Sequence, residues 1–401
     1  MTTSTTSLPD PTATASSSSS QLPPQSKDTG GIPTRLLLLS DTHIRSRSKT
    51  PLPFPVPSIQ ADIVIHAGDI TDSSTLPEFS LCLSYLRRLP APLKLLIAGN
   101  HDFTLDQPAY SQYLESNSRS RSNSAALGLG LGSGKLTMTP RNGRKGHGLG
   151  DPGEAKQLLD EASKEGIYYL EEGTHRFQLA NGARLTVYAS PATPAFGSQG
   201  FQYEKEKGHV FDIPEEADVV VSHGPPRGVL DVSRLTGRTC GSVELWERVR
   251  EVRPRLHVFG HIHEAWGAAV VRWPPLPALT GTGEGGGGDD GRDGKDKGKK
   301  GKKGKERAEM TVLVDRRDVQ VGWKETREER KRKEEKVDKI VRDGYYPLEY
   351  MYPERDAEGA EQTLFVNAAV PNAPGLVPWL VQVELPRSDR DANGQVQGRL
   401  K

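Results

Sequence analysis

Arg35-Leu-Leu-Leu-Leu-Ser-Asp-Thr-His43 is the stretch of the chain that decides the fold. Its unbroken run of leucines is typical of a strand that is buried on both faces. The polar residues Asp41 and His43 follow the run directly. The stretch therefore predicts a central strand of an α/β sheet with chemically active side chains just beyond its carboxyl end.

The next segments of the chain repeat this arrangement. Residues 62–67 and 92–98 are apolar runs, and residues 76–89 between them carry apolar residues at helical spacing. Strand, helix, strand with short connections is the pattern of a sheet with helices on its faces. Further strands are predicted at residues 167–170, 175–179, 184–190, 217–222, 255–259, 363–367 and 379–384, and further helices at 152–164 and 243–252.

Five short polar blocks carry the candidate chemistry, and four of them follow directly on an apolar strand. They hold five of the ten histidines and are Ser-Asp-Thr-His (40–43), Ala-Gly-Asp (67–69), Gly-Asn-His-Asp (99–102), Ser-His-Gly (222–224) and Gly-His-Ile-His (260–263). Because ligands bind at strand ends in open α/β sheets, we expect the blocks to converge on one site.

The residue types in these blocks indicate a metal site. Imidazole, carboxylate and amide oxygen suit divalent ions such as Mn, Fe, Zn, Ni or Co. Asp41 and His43 are two residues apart, as are His261 and His263, so each pair would face one way in an extended chain. Asp69 is the only carboxylate of its block, and its two oxygens make it the natural bridge between two ions ~3.5–4 Å apart.

These blocks resemble the motifs of the calcineurin-like metallophosphoesterase superfamily, which are D-x-H, GD, GNH-D/E, H and GHxH in that order. Within it, the sequence is most similar to the metallophosphoesterase-domain-containing subgroup, which is class III cyclic nucleotide phosphodiesterase-like. The stretches that carry this similarity are residues 65–71, 98–104, 190–196, 222–226, 257–264 and 365–368. The resemblance implies an α/β fold, a four-layer αββα sandwich with two mixed sheets face to face and the metals at one edge.

The resemblance also implies which residues bind two divalent metal ions. One ion would be held by Asp41, His43, Asp69 and His263, and the other by Asp69, Asn100, His223 and His261. His101 would not bind metal; it would face the leaving oxygen, as a general acid or as a positive charge that stabilises the transition state. A hydroxide held by both ions would attack phosphorus in line, without a covalent enzyme intermediate.

The implied function is metal-dependent hydrolysis of a phosphate ester. A small phosphodiester such as a cyclic nucleotide is the favoured substrate, and manganese is among the expected metals. Two alternatives stay open: a phosphomonoesterase or protein phosphatase of the same superfamily, or a scaffold that binds metal with little turnover. The complete ligand set favours the enzyme, because degenerate members of the superfamily usually lose a ligand.

Other polar residues have less specific interpretations. Asp102 either orients the histidine before it or is a solvated loop acid. Arg227 is more readily a surface arginine than a phosphate contact. His66 and His257 lie within predicted strands, so we expect them in the core.

Composition predicts one folded domain with long polar insertions. Apolar residues make up only 34% of the chain, and 53 basic against 52 acidic residues leave a net charge of +1, so nothing attracts the whole chain to nucleic acid or membrane. The domain is predicted at residues 32–386, with disordered insertions at about 116–150 and 275–360 and tails at 1–31 and 387–401. Within the second insertion, alternating charges at residues 324–342 predict an exposed helix.

The cysteines and the termini indicate the cellular context. Cys82 and Cys240 lie far apart, without the spacing of a metal site or a disulfide framework, which favours an intracellular protein. Residues 1–31 lack the apolar region of a secretory signal, and no apolar run is long enough to span a membrane. We expect a cytoplasmic or nuclear protein that acts on a small phosphate ester and has no nucleic-acid partner.

Overall fold

The computed structural model describes residues 31–46, 55–126, 149–234, 236–274, 308–320, 325–348, 360–370 and 376–388, all within the unit Gly31–Lys401. Its strands are β1 (Ile32–Leu39), β2 (Ile63–His66), β3 (Leu93–Leu96), β4 (Ile167–Tyr169), β5 (Gly173–Gln178), β6 (Arg184–Ser190), β7 (Thr193–Pro194), β8 (Gln202–Tyr203), β9 (Val219–Ser222), β10 (Leu256–Phe259), β11 (Gly267–Arg272), β12 (Glu309–Asp315), β13 (Tyr346–Pro347), β14 (Gln362–Asn367) and β15 (Trp379–Leu385). Its α-helices are α1 (Leu76–Arg88), α2 (Gln107–Ala126), α3 (Pro152–Ala162), α4 (Val243–Val252) and α5 (Arg327–Asp343), and 3₁₀ turns lie at Phe103–Leu105, Ser163–Glu165, His263–Ala265 and Arg316–Asp318.

The first large sheet has the strand order β13-β15-β1-β2-β3-β4. Strands β1, β2 and β3 are parallel neighbours, whereas β15 runs antiparallel to β1. Each of the leucines Leu36 to Leu39 is at most 1% exposed. The strand is therefore buried on both faces, as its continuous apolar run predicts.

The second large sheet has the strand order β12-β11-β14-β10-β9-β6-β5. Its central strands β14, β10, β9 and β6 are parallel. Strands β11 and β12 form an antiparallel pair at one edge, in which Arg272 lies opposite Glu309. Both large sheets are therefore mixed, as expected.

The two sheets share one hydrophobic core. Apolar residues from the first sheet, such as Leu38, pack in the same cluster as Val187 and Val366 from the second sheet. A separate cluster joins Leu245 and Val249 of α4 to the other face of the second sheet. Helix α1 packs against α3, and α3 against β4 of the first sheet. The layers are thus helix, sheet, sheet, helix, which confirms the predicted sandwich.

Local sequence signals explain where the helices of the sandwich begin. Thr75 and Glu78 form a capping box at the start of α1. The carboxylate of Asp151 accepts a hydrogen bond from the Glu154 amide at 2.9 Å, and Ser242 caps α4 in the same way. Each cap satisfies an amide that has no partner within its helix.

Both predicted insertions contain secondary structure that the sequence analysis did not expect. Helix α2 continues to Ala126, well beyond the predicted start of the first insertion at 116. In the second insertion, β12 and β13 each pair with a strand of a large sheet. The β-branched residues Thr311, Val312 and Val314 favour the strand conformation of β12. The charged helix predicted there is confirmed as α5. Residues 127–148 and 275–307 of the predicted insertions, and most of both predicted tails, lie outside the described residues.

Candidate metal centre

All five polar blocks lie at the carboxyl ends of parallel strands. Three blocks follow β1, β2 and β3 of the first sheet, and two follow β9 and β10 of the second. Because the sheets face each other, their loops meet at one edge of the sandwich. Hydrogen bonds cross between the blocks there: the His261 amide donates to the carboxylate of Asp41 at 2.9 Å.

One group of side chains converges from the first, second and fifth blocks. The Nε2 atom of His263 lies 3.2 Å from Nε2 of His43 and 3.1 Å from Oδ1 of Asp41. Nε2 of His43 lies 3.5 Å from Oδ2 of Asp69. Metal–ligand bonds of about 2.0–2.2 Å place neighbouring ligand atoms roughly 3.0–3.5 Å apart. Asp41, His43 and His263 are therefore close enough together to hold one divalent ion, and Asp69 approaches them through His43.

A second group adjoins it and shares Asp69. Oδ1 of Asp69 lies 3.3 Å from Nε2 of His223, and Oδ1 of Asn100 lies 2.9 Å from the same nitrogen. The ring of His261 lies 5.0 Å from the ring of His223, centroid to centroid. The structure thus brings the ligand atoms of Asp69, Asn100 and His223 together and places the ring of His261 beside that of His223.

The orientation of His223 fits a metal ligand. Its Nδ1 lies 3.0 Å from the carbonyl oxygen of Ala67, which can only accept a hydrogen bond, so Nδ1 carries the hydrogen. This leaves Nε2 directed at the carboxylate and amide oxygens. Ligating histidines are commonly held by such a bond from the other ring nitrogen. The donor types and their orientation both fit divalent ions of the Mn, Fe, Zn, Ni or Co type.

The electrostatics of the site also suit bound cations. Burial alone would raise the pKa of Asp41, but His263 and His223 beside it hold that pKa well below its usual range. The pKa of Asp69 is likewise low, despite burial, because His223 and His43 are close. Burial would lower the pKa of His223, yet the two carboxylates raise it to about 9. Two buried carboxylates held in the charged form require positive charge nearby.

The backbone of the ligand residues differs from the extended chain that the sequence predicts. Asp41, His43, Asp69 and His261 have φ values of 57°, 41°, 53° and 66°, in the left-handed region, and His263 begins a 3₁₀ turn. The expectation that each pair faces one way because its chain is extended is therefore wrong. The side chains converge through tight left-handed turns, a conformation that costs about 1–3 kcal/mol per residue and is concentrated at functional sites.

Glycine permits the close packing of these turns. A Cβ atom on Gly260 would overlap Oδ2 of Asp41 and the side chain of Ser40. A Cβ atom on Gly99 would overlap the amide and carboxylate of Asp69. Both glycines are needed because backbone passes directly beside a carboxylate ligand.

His101 lies beside the first group, as expected. Its ring centroid is 4.5 Å from that of His43, and its amide donates to Oδ1 of Asp69 at 2.8 Å. Its Nδ1 lies 3.0 Å from the carbonyl oxygen of Asp72, so Nδ1 donates and Nε2 is the nitrogen left for the site. Its position at ligand distance from His43 and Asp69 would also allow metal contact.

Asp102 has a role that neither interpretation of the sequence describes. Its carboxylate is fully buried and accepts hydrogen bonds from the amides of Ile70, Thr71 and Gly99 and from the hydroxyl of Thr71. It therefore binds the second block to the third, instead of orienting His101 or facing solvent. Burial raises its pKa to about 6. No spacing in the sequence distinguishes such a buried acid from an exposed one.

The remaining predictions about polar residues agree with the structure, and one residue was missed. His66 and His257 are buried and bond Thr42 and Ser222, respectively. The side chain of Arg227 is exposed. Gln199, from the loop between β7 and β8, reaches Asn100 and His101, although nothing in the sequence around it signals a contact with those blocks.

An αββα sandwich that collects aspartate, histidine and asparagine donors at one edge defines the metallophosphoesterase class of proteins. The family model "Calcineurin-like phosphoesterase" matches residues 34–265. The chain belongs to that family.

Two of the curated relatives that the chain matches carry the name of this family. Human metallophosphoesterase domain-containing protein 1 is 32% identical over 58% of this chain, and its mouse counterpart matches equally. A protein of Emericella nidulans named "Probable rhamnogalacturonate lyase C" is 34% identical over 60% of this chain. The chain covers 62% of the human protein's length and 18% of the Emericella protein's length. Among the described residues, no helix is long and apolar enough to cross a membrane.

Proposed function

We propose that this chain hydrolyses phosphate esters with two divalent ions bound by the predicted ligand sets. The position of Asp69 carries the proposal. Its Oδ2 lies 3.5 Å from Nε2 of His43, and its Oδ1 lies 3.3 Å from Nε2 of His223. A carboxylate whose two oxygens serve two separate groups of donors is the bridge that a two-ion site needs.

The roles of the residues follow from their exposure. The side chains of His43 and His263 are 15% and 35% exposed, whereas that of Asp41 is fully buried, so substrate would enter on the histidine side. Bound ions would activate the attacking water and neutralise the phosphoryl oxygens. His101, beside His43, would face the leaving oxygen through Nε2 and donate a hydrogen bond or a proton to it.

We further propose a small phosphodiester, such as a cyclic nucleotide, as the favoured substrate. Among the described residues, every ion-pair partner of Asp41 and Asp69 is a histidine. Arg316 lies nearby but donates to the carbonyl oxygen of His263 and not to these carboxylates. The support for a diester is the resemblance of the motifs to the metallophosphoesterase-domain-containing subgroup. Manganese is the first metal to test, since a mixed nitrogen and oxygen donor set accepts it.

Hydrolysis of bis-p-nitrophenyl phosphate against p-nitrophenyl phosphate tests the proposal. Purified protein is loaded in turn with Mn, Ni, Co, Fe and Zn, beside Asp69→Asn and the matched control Asp62→Asn. Within the described part of the chain, the Asp62 carboxylate accepts only from the Arg35 amide. Diester turnover that falls at least about 100-fold in Asp69→Asn but not in the control supports the proposal. Preference for the monoester would favour a phosphomonoesterase. Metal binding without turnover of either ester would favour a scaffold.

We also propose that the protein acts in the cytoplasm. Both cysteines are free, with Cys82 buried and Cys240 partly exposed, as in proteins of reducing compartments. Fractionation of cells that contain the untagged protein tests this, and recovery from the secreted fraction would contradict it.

A further inference from the structure

Gln199 contacts two consecutive residues of the third block. Its Oε1 accepts a hydrogen bond from Nδ2 of Asn100 at 2.9 Å. Its Nε2 lies 3.2 Å from Nε2 of His101. A single half-buried side chain therefore bonds both a predicted metal ligand and the histidine that would face the leaving group.

The loop that carries Gln199 is fixed to the same part of the molecule. The Gly200 amide donates to the carbonyl oxygen of Asn100 at 3.0 Å, and the Phe201 amide donates to Oδ2 of Asp106 at 2.6 Å. Gly200 also packs so closely on Phe103 that an added Cβ would lie 3.2 Å from its Cα. The backbone next to Gln199 is therefore fixed in place, and the Gln199 side chain contacts Asn100 and His101 from a fixed position.

The bond to Asn100 selects one orientation of its amide. An asparagine can bind a metal ion only through Oδ1, and Oδ1 here faces Nε2 of His223 at 2.9 Å. Because Nδ2 donates to Gln199, a 180° turn of the Asn100 amide would lose this bond and place a donor at the ligand position. Gln199 therefore maintains the carbonyl end of Asn100 towards the second group.

The bond to His101 fixes the direction of its ring. Nδ1 donates to the Asp72 carbonyl, so Nε2 carries a lone pair and accepts from the Gln199 amide. The imidazole is thus held from both sides. The Gln199 amide occupies Nε2 of His101 in this structure, so a leaving oxygen would bind at that nitrogen in place of the amide.

We propose that Gln199 is a positioning residue for the hydrolysis proposed above: it orients Asn100 towards the second metal ion and His101 towards the leaving oxygen. Its two bonds make the ligand and the leaving-group histidine one unit. Loss of both bonds should therefore weaken metal binding and, separately, slow the release of poor leaving groups.

Two substitutions test the two bonds. Gln199→Met keeps the length of the side chain and loses both bonds. Gln199→Glu keeps an acceptor for Asn100 and loses the donor to His101. Gln202→Met is the matched control. Gln202 lies three residues away, and among the described residues its side chain bonds only the Phe196 carbonyl. Circular dichroism and urea denaturation establish that each variant is folded.

Mn²⁺ affinity is measured by calorimetry on metal-free protein, and kcat is measured with bis-p-nitrophenyl and diphenyl phosphate. Loss of such a supporting bond typically costs 10–100-fold in metal affinity, so Gln199→Met should raise the Kd of the weaker Mn²⁺ site about 10-fold. Gln199→Glu should not raise it. Both variants should lower kcat about 10-fold for diphenyl phosphate, whose phenoxide needs a proton, and less than about 2-fold for the nitrophenyl ester, whose leaving group does not.

Different outcomes overturn the inference and the proposed function. An unchanged Kd in Gln199→Met, or an equal fall in kcat for both esters, would overturn the positioning role. Wild-type protein that binds Mn²⁺ but cleaves neither ester would refute the proposed function alone. The calorimetric comparison would then still decide whether Gln199 holds Asn100.

Discussion

Removal of the Asp102 carboxylate should destabilise the fold at the centre of the site. Asp102→Ala would leave three buried amides without an acceptor, those of Ile70, Thr71 and Gly99, which now donate at 3.0, 2.9 and 2.8 Å. An unsatisfied buried donor costs about 1–3 kcal/mol. Part of that cost is offset because the variant no longer desolvates a charge, the effect that raises the pKa of Asp102 to about 6. We expect a net loss of about 3 kcal/mol in the free energy of unfolding.

Urea denaturation at pH 8, where the carboxylate is ionised, measures this loss. The control is Asp72→Ala, which removes an acid from the loop that contains Ile70 and Thr71. The Asp72 carboxylate pairs with the exposed Arg45 at 3.0 Å. Exposed ion pairs contribute about 0–1 kcal/mol, so the control should change little. Because the lost bonds join the second and third blocks, Mn²⁺ affinity should also fall about 10-fold or more in Asp102→Ala. An unfolding free energy no lower than that of the control would refute the structural role of this carboxylate.

Three further predictions concern the site and the core around it. Gly260→Ala should weaken Mn²⁺ binding at least about 10-fold in calorimetry, because its Cβ would overlap Oδ2 of Asp41; wild-type affinity would contradict this. Mn²⁺ at 100 times its Kd should stabilise the fold by about 2.7 kcal/mol in urea, reversed by chelator, and Asp69→Asn should lose most of the gain. Burial lowers the pKa of His257 from its usual 6.5 to about 3. Between pH 6.5 and pH 3 the unfolded chain binds a proton at this histidine and the folded chain does not. The free energy of unfolding therefore falls as the pH falls. The free energy of unfolding should fall by about 2 kcal/mol between pH 6.5 and pH 5. The His257→Leu variant should show a weaker pH dependence, and an equal pH dependence in both proteins would contradict the prediction.

The sequence predicts the frame of this molecule because its signals are strong and local. Exposing the run of leucines before Ser40 to water is unfavourable, so these residues form a buried strand. The same reasoning predicts β2, β3, β9 and β10. Strand ends in parallel sheets meet at an edge, which explains why side chains as distant in sequence as His43 and His263 were predicted to meet. Their nitrogens are 3.2 Å apart.

Two of the predictions that failed, for the backbone of Asp41 and His43 and for Asp102, involve conformation or burial that no residue pattern encodes. The left-handed backbone of Asp41 and His43 is imposed by the tight turns at the site, not by their own preference. Asp102 is buried because two loops close over it, a tertiary event. Helix α2 did have a local signal, since Asp106 accepts a hydrogen bond from the Ala109 amide at 3.0 Å as a helix cap does. The Ser- and Arg-rich sequence that follows led to the prediction of a disordered insertion instead of a continuing helix.

The antiparallel pairing of β11 with β12 has a consequence for protein engineering. The chain leaves the sheet at Arg272 and returns at Glu309, and these residues lie directly opposite each other. The ends of the long connection are therefore as close as those of a tight β-hairpin. Trp273 at the start of the connection is buried and bonds Thr363, so a shortened chain would keep it. A four-residue turn in place of residues 275–307 would reduce the entropy lost on loop closure by roughly 1.5 kcal/mol. The same junction, at the edge strand of the second sheet, is a natural place to graft a reporter domain or an affinity tag.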